Sequence, residues 1–191
     1  MKVLLLDNYD SFTHNLKQLV VQFGVKKLDI IKNNEIDLDA IEHYDKIMLS
    51  PGPGLPSEAG LMMEIIARYA SSKPILGVCL GHHAIAEYFG AKLFNLKQPV
   101  HGIARKTSIL KKDLLFSSLD DNFQVGLYHS WAVSDTDFPT DLEIIARSEK
   151  GIIMALRHKK FNVKGVQFHP ESILTPSGKT LIWNWLDEVN L

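Results

Sequence analysis

The chain holds a single cysteine, Cys79, among 191 residues, and it has no excess of either charge, with 21 Lys+Arg against 22 Asp+Glu. A lone thiol cannot close an internal disulfide, so nothing points to an oxidising compartment and a reducing cytosol is the expected setting. The balanced charge leaves no basic surplus for nucleic acid or an anionic membrane surface. Long apolar runs are missing as well. The longest strictly apolar run, Ile152 to Leu156, falls far short of the roughly 18 residues of a membrane span. Val3 to Leu6 is likewise too short for the core of a signal peptide. Without repeats, low-complexity tracts or linkers, one domain over residues 1–191 is expected, soluble and cytoplasmic.

What is present is alternation. Short apolar runs bounded by turn residues alternate with amphipathic stretches through the first half, the pattern of βαβ units. Strands are expected at Val3–Leu6, Leu28–Ile31, Lys46–Leu49 and Pro74–Val78. Between them come a helix capped by Ser11 and stopped by Gly24, a helix capped by Ser57 and running through Tyr69, and a helix from Gly81 to Phe89 ended by Gly90. The second half turns to strands, roughly Ala104–Leu110, Phe123–Leu127, Leu142–Arg147, Ile152–Arg157 and Val163–Phe168. A final helix is capped by Thr175 before Pro176, with Leu181, Ile182, Trp185, Leu186 and Val189 as its apolar stripe. The expected class is α/β: an open, mostly parallel central sheet flanked by helices, with a more antiparallel, strand-rich second half.

Cys79 sits in Gly77-Val78-Cys79-Leu80-Gly81, between an expected strand and an expected helix. A sharp strand-to-helix turn lifts a nucleophile out of a sheet, and glycines two residues to either side remove the Cβ atoms that would collide in that turn. A lone cysteine after an apolar strand is also an ordinary small core residue; the paired glycines favour the nucleophile. A thiol nucleophile needs a base and the base an orienter. Gly165-Val166-Gln167-Phe168-His169-Pro170-Glu171 offers both, because Pro170 keeps His169 extended and leaves Glu171 two residues away, on the same face. Ser50-Pro51-Gly52-Pro53-Gly54 follows another strand, at the sheet end where ligands gather in open α/β folds. Its backbone N–H groups and that of Leu80 could meet an oxyanion. It is not a phosphate loop, since no Gly-Lys-Ser/Thr follows. Cys79, His82 and His83 share a helical face, but a zinc site wants further ligands that the chain does not space for, so neither metal nor cofactor is expected.

Taken together, Gly77 to His82, Ser50 to Gly54 and Gly165 to Ser172 resemble the class I glutamine amidotransferases, the flavodoxin-like Cys-His-Glu glutaminase domains. More narrowly, Asp7 to Leu16, Tyr128-His129-Ser130 and Pro170 to Thr175 resemble the glutaminase subunits of anthranilate synthase and aminodeoxychorismate synthase, over nearly the whole chain. The resemblance implies that Cys79 attacks the side-chain amide of L-glutamine, His169 moves the protons and Glu171 orients His169. Gly52, Pro53, Gly54, Leu80, His83, Ser130 and Trp131 would contact the substrate. Ammonia would pass to a chorismate-binding large subunit, component I of either synthase, for tryptophan or folate supply, with the Asn8-Tyr9-Asp10-Ser11 loop near that partner. Two positions depart from the family pattern: His83 stands for a glutamine that contacts substrate, and Leu127 for an arginine. A catalytically degenerate, regulatory subunit is the non-enzymatic alternative.

Overall fold

Residues 1–188 are described by the computed structural model. Among the described residues, nine strands form one sheet: β1 (Lys2–Asp7), β2 (Lys27–Lys32), β3 (Lys46–Leu49), β4 (Ile75–Val78), β5 (Leu93–Ile109), β6 (Asn122–Val133), β7 (Leu142–Ser148), β8 (Ile153–His158) and β9 (Val163–Val166). Four α-helices among the same residues cover it: α1 (Thr13–Phe23), α2 (Met62–Tyr69), α3 (Leu80–Tyr88) and α4 (Gly178–Asp187). The order across the sheet is β2-β1-β3-β4-β9-β8-β7-β5-β6. The pairs from β2 to β9 are parallel, and those from β9 through β8, β7 and β5 to β6 are antiparallel. The parallel half comprises the first four strands and β9, and the antiparallel half is the strand-rich second half expected from the sequence.

The period-two rule of strands is visible in β1, whose side chains alternate between two cores. Val3 and Leu5 join Leu16 and Val20 of α1 and Leu181, Ile182 and Trp185 of α4 on one face. Leu4 and Leu6 join Met62, Ile65 and Ile66 of α2 and Ala84 and Ile85 of α3 on the other. A strand buried on both sides reads as an unbroken apolar run, which is why Val3–Leu6 was legible.

Three expected helix caps are displaced, each for its own local reason. Before α1 the Asp10 carboxylate, not Ser11, accepts the Phe12 N–H at 2.7 Å, and Asp7 accepts from the Thr13 hydroxyl at 2.9 Å. Ser57 lies in a 3₁₀ turn, Pro56–Glu58, and the positive φ of Gly60 separates that turn from α2. Ser177, not Thr175, precedes α4, because the Thr175 hydroxyl is spent elsewhere, donating to the His169 carbonyl at 2.7 Å and accepting the Gly126 N–H at 2.9 Å. β5 and β6 are much longer than expected: exposed residues hide the alternation in β5, and in β6 the continuous buried run Val125-Gly126-Leu127 breaks it. Val163–Phe168 shortens to β9, and Val189 lies outside the described residues. No helix among the described residues is long and apolar enough to cross a membrane.

Candidate active site

The site is assembled by one register. Parallel pairing of β4 with β9 sets Gly77 opposite Gly165 and Val78 opposite Val166, so both chains leave the sheet at the same end. Cys79 is the first residue out. Its N–H still donates to the Val166 carbonyl at 2.8 Å, while its own carbonyl accepts the His83 N–H at 3.0 Å, closing the first turn of α3. One residue thus ends a strand and caps a helix, and its φ of +51° and ψ of −97° record the sharpness of the turn. Such a conformation costs a non-glycine residue about 1–3 kcal/mol, which the surrounding packing must hold. The glycine spacing is explained by contact. A Cβ on Gly77 would strike the Gly81 backbone and come within 2.7 Å of the His82 nitrogen, and one on Gly81 would lie 2.7 Å from the Leu49 carbonyl oxygen.

His169 leaves β9 on the neighbouring path. The His169 N–H donates to the Gly126 carbonyl of β6 at 3.0 Å, and the Thr175 hydroxyl ties the His169 carbonyl from the other side. Its Nδ1 donates to Glu171 Oε1 at 2.6 Å, with the two side chains 3% and 0% exposed. Its Nε2 is buried and has no hydrogen-bond partner among the described residues. Burial alone would lower the imidazole pKa, but the Cys79 sulfur and the Glu171 carboxylate outweigh it and hold His169 up at about 10. The ring is boxed by Phe12 and Tyr128, at centroid distances of 5.6 and 5.0 Å, and the Tyr128 hydroxyl is 3.0 Å from Ser172 Oγ. Neither aromatic was singled out as a site residue from the sequence, although both fall within the segments that carried the resemblance.

The Ser50–Gly54 loop closes a third side. Ser50 is fully buried, Asn8 donates to it from backbone and side chain at 2.9 Å each, and Asn33 in turn donates to Asn8 Oδ1 at 3.1 Å. The loop backbone lies so close to the elbow that a Cβ on Gly52 would sit 2.8 Å from Leu80 Cδ2 and 2.7 Å from the Asn8 carbonyl oxygen. Pro53 and Gly54 are exposed beyond it, and Ser130 and Trp131 are half-buried on β6, where the Trp131 carbonyl accepts from His129 Nδ1 at 2.8 Å.

His83 and Leu127 are both buried. Leu127 belongs to the apolar core with Val125, Phe123 and Phe168. His83 is 4% exposed and its Nε2 is 2.8 Å from Gln167 Oε1, while Gln167 Nε2 points at Cys79 Sγ from 3.8 Å. Burial pushes the His83 pKa down to about 4, so the ring is neutral near pH 7. Gln167 was quoted in the motif but given no role, and no local signal marks it. Elsewhere, two clefts of about 530 and 540 Å³ share Asp113, Arg157, Lys164 and Glu188. Their charged groups pair with one another, Lys164 with Asp113 at 2.9 Å and with Glu188 at 2.6 Å, and Cys79 and His169 do not line them.

The arrangement offers a thiol on a strained elbow, an imidazole oriented by a carboxylate and a glycine loop beside a helix start, the parts needed for acyl transfer. A family model described as glutamine amidotransferase class-I matches residues 4–189. Anthranilate synthase component 2 of Pseudomonas aeruginosa is 44% identical over 195 residues, covering 96% of this chain and 94% of the relative. Aminodeoxychorismate/anthranilate synthase component 2 of Bacillus subtilis is 40% identical, covering 97% and 95%. Among solved structures, a glutamine amidotransferase from Thermotoga maritima has the same fold, with a TM-score of 0.79 at 17% identity over 98% of this chain and 96% of that one.

Proposed function

This chain belongs to the class I glutamine amidotransferase family, and on that premise we propose that it is the glutaminase subunit of an anthranilate synthase, working with a chorismate-binding large subunit in the cytosol. The observation that carries the reading is the Glu171–His169 pair held at 2.6 Å, with the Cys79 sulfur among the groups that hold the imidazole pKa up. In this reading Cys79 Sγ attacks the side-chain amide carbon of L-glutamine. The oxyanion forms against backbone N–H groups of Leu80 and the Gly52-Pro53-Gly54 loop, each such donor being worth about 2.7–4 kcal/mol in the transition state. His169 gives its proton to the amide nitrogen, the C–N bond breaks, and ammonia leaves a glutamyl thioester. Water then attacks as His169 takes its proton, the C–S bond breaks, and glutamate departs. Ser130 and Trp131 hold the α-amino and carboxylate groups of the substrate, and Glu171 keeps Nδ1 protonated so that Nε2 is the working nitrogen.

Relatives named for both anthranilate and aminodeoxychorismate synthases support the second acceptor pathway as well. The test is to purify the chain with its large subunit and measure glutamate release and the aminated product, for the wild type and for Cys79→Ala. Anthranilate that depends on glutamine, and is lost in the variant while added ammonium still supports it, is the expected result. Aminodeoxychorismate in its place would move the chain to the folate branch. A wild type no faster than Cys79→Ala would overturn the reading in favour of a degenerate, regulatory subunit.

A further inference from the structure

The resemblance assigns position 83 to the substrate, yet in this chain His83 spends its Nε2 on another side chain. We propose that Gln167 is a catalytic donor to the Cys79 sulfur and that His83 is the residue that positions it. The proposal rests on Cys79 being the nucleophile, as argued above.

Gln167 is fully buried at the end of β9, where its N–H donates to the Met154 carbonyl at 2.9 Å. Its side-chain amide has two ends, one that only accepts and one that only donates. The two are nearly the same size, so a neighbour must decide which end faces the sulfur. His83 lies 2.8 Å from Oε1, and a proton on His83 Nε2 can satisfy only an oxygen there. With the oxygen so engaged, the NH₂ end is left facing Sγ at 3.8 Å. The reverse orientation would set two donors against each other at His83 and turn oxygen lone pairs toward the thiolate. Burial keeps the His83 ring neutral with one proton, and in the proposed arrangement that proton is on Nε2, toward Gln167 Oε1, rather than on the side of the Trp131 backbone.

The donor acts when charge is on sulfur. In the second half-reaction the C–S bond of the thioester breaks and its electron pair returns to Sγ, where the Gln167 N–H meets it. The same N–H meets any negative charge held on Sγ. His169, with Glu171 behind it, faces the sulfur; Asp10 and His129 bear on His169, and His82 and His129 bear on His83. The acid limb of thiol reactivity is therefore a property of the whole set, and a change in it must be compared between variants.

Alkylation of the sole thiol by iodoacetamide reads the sulfur directly, without glutamine or partner, so it stays informative even if the ammonia acceptor is misassigned. Hydrogen bonds to a charged group predict that Gln167→Met and His83→Leu each raise the pH of half-maximal alkylation by about one unit, a roughly ten-fold loss of rate on the rising limb. The double variant should be no worse than Gln167→Met alone, and His83→Gln, whose amide can donate to the same oxygen, should restore most of the rate. In the glutaminase assay His83→Leu should lower kcat with KM changed less than about two-fold. If His83→Leu loses its cooperative thermal transition, Gln167→Met and His83→Gln decide alone. An unchanged alkylation profile in Gln167→Met, or a raised KM for glutamine with unchanged alkylation in a folded His83 variant, overturns the proposal. Cys79→Ala retaining glutaminase activity would instead remove the nucleophile assignment beneath it.

Discussion

Replacing Glu171 with glutamine removes a charge while keeping the volume and one acceptor oxygen. In the wild type the carboxylate is fully buried and lies 2.6 Å from Nδ1 of an imidazole raised to about 10 against the effect of its own burial. A hydrogen bond to a charged group is worth about 1.5–3 kcal/mol and a neutral one about 0.5–1.5 kcal/mol, so the substitution forfeits about 1–1.5 kcal/mol of preference for imidazolium. At 1.36 kcal/mol per pH unit this is about one unit. The departing ammonia needs the His169 proton, so the alkaline limb of kcat/KM for glutamine, measured with the large subunit present, should move down by about one pH unit. An amide that instead turned its NH₂ to Nδ1 would move the proton to Nε2 and cost far more, as the up to roughly 10⁴-fold loss on mis-setting the tautomer in a serine protease triad shows. Stability follows the same linkage. The folded value lies above the unfolded value of 6.5, so its contribution is complete below pH 6.5 and is lost as pH rises toward about 10. The variant's stability deficit should therefore be full below about pH 6.5 and close as pH rises through about 10. An alkaline limb at an unchanged pH, with kcat within two-fold of wild type, would refute the role assigned to Glu171.

Acid stability gives a second measurement. His83 falls from 6.5 unfolded to about 4 folded, so the folded state binds fewer protons and loses up to about 3 kcal/mol as pH drops through that window. Urea unfolding at pH 7 and pH 4 should show His83→Gln losing less than the wild type by up to that amount. Equal losses would contradict it. Gly77→Ala forces a Cβ into the Gly81 backbone, so either the elbow shifts and alkylation of Cys79 falls at least ten-fold, or the folded yield collapses; a folded variant with wild-type alkylation would show the contact to be soft. Thr175→Val leaves the buried Gly126 N–H without its acceptor and removes the tie to the His169 carbonyl. A loss of about 1–3 kcal/mol in chemical denaturation is expected, with a lower kcat, because the backbone of His169 is no longer held from both sides.

Much of the site was legible because its signals are local. Gly77, Cys79 and Gly81 act within one strand-to-helix turn, and Pro170 and Glu171 act on the adjacent His169, so spacing alone carries their meaning. Caps were harder. Ser11, Ser57 and Thr175 each have the right chemistry in the right place, but competing acceptors such as Asp10 and Glu58, or a distant use such as the Gly126 tie, decided otherwise.

The amino-acid sequence by itself determined the βαβ first half, the elbow, the Cys79, His169 and Glu171 candidates and the family, because strand burial and tight turns are written in neighbouring residues. Tertiary structure alone decided that β9 inserts beside β4 and that β6, through the Gly126 carbonyl, buttresses His169. It also decided that His83 reaches Gln167 across 84 residues of chain rather than standing alone. Those facts depend on register between strands far apart in sequence, and pairing energy of that kind leaves no mark on either strand read separately.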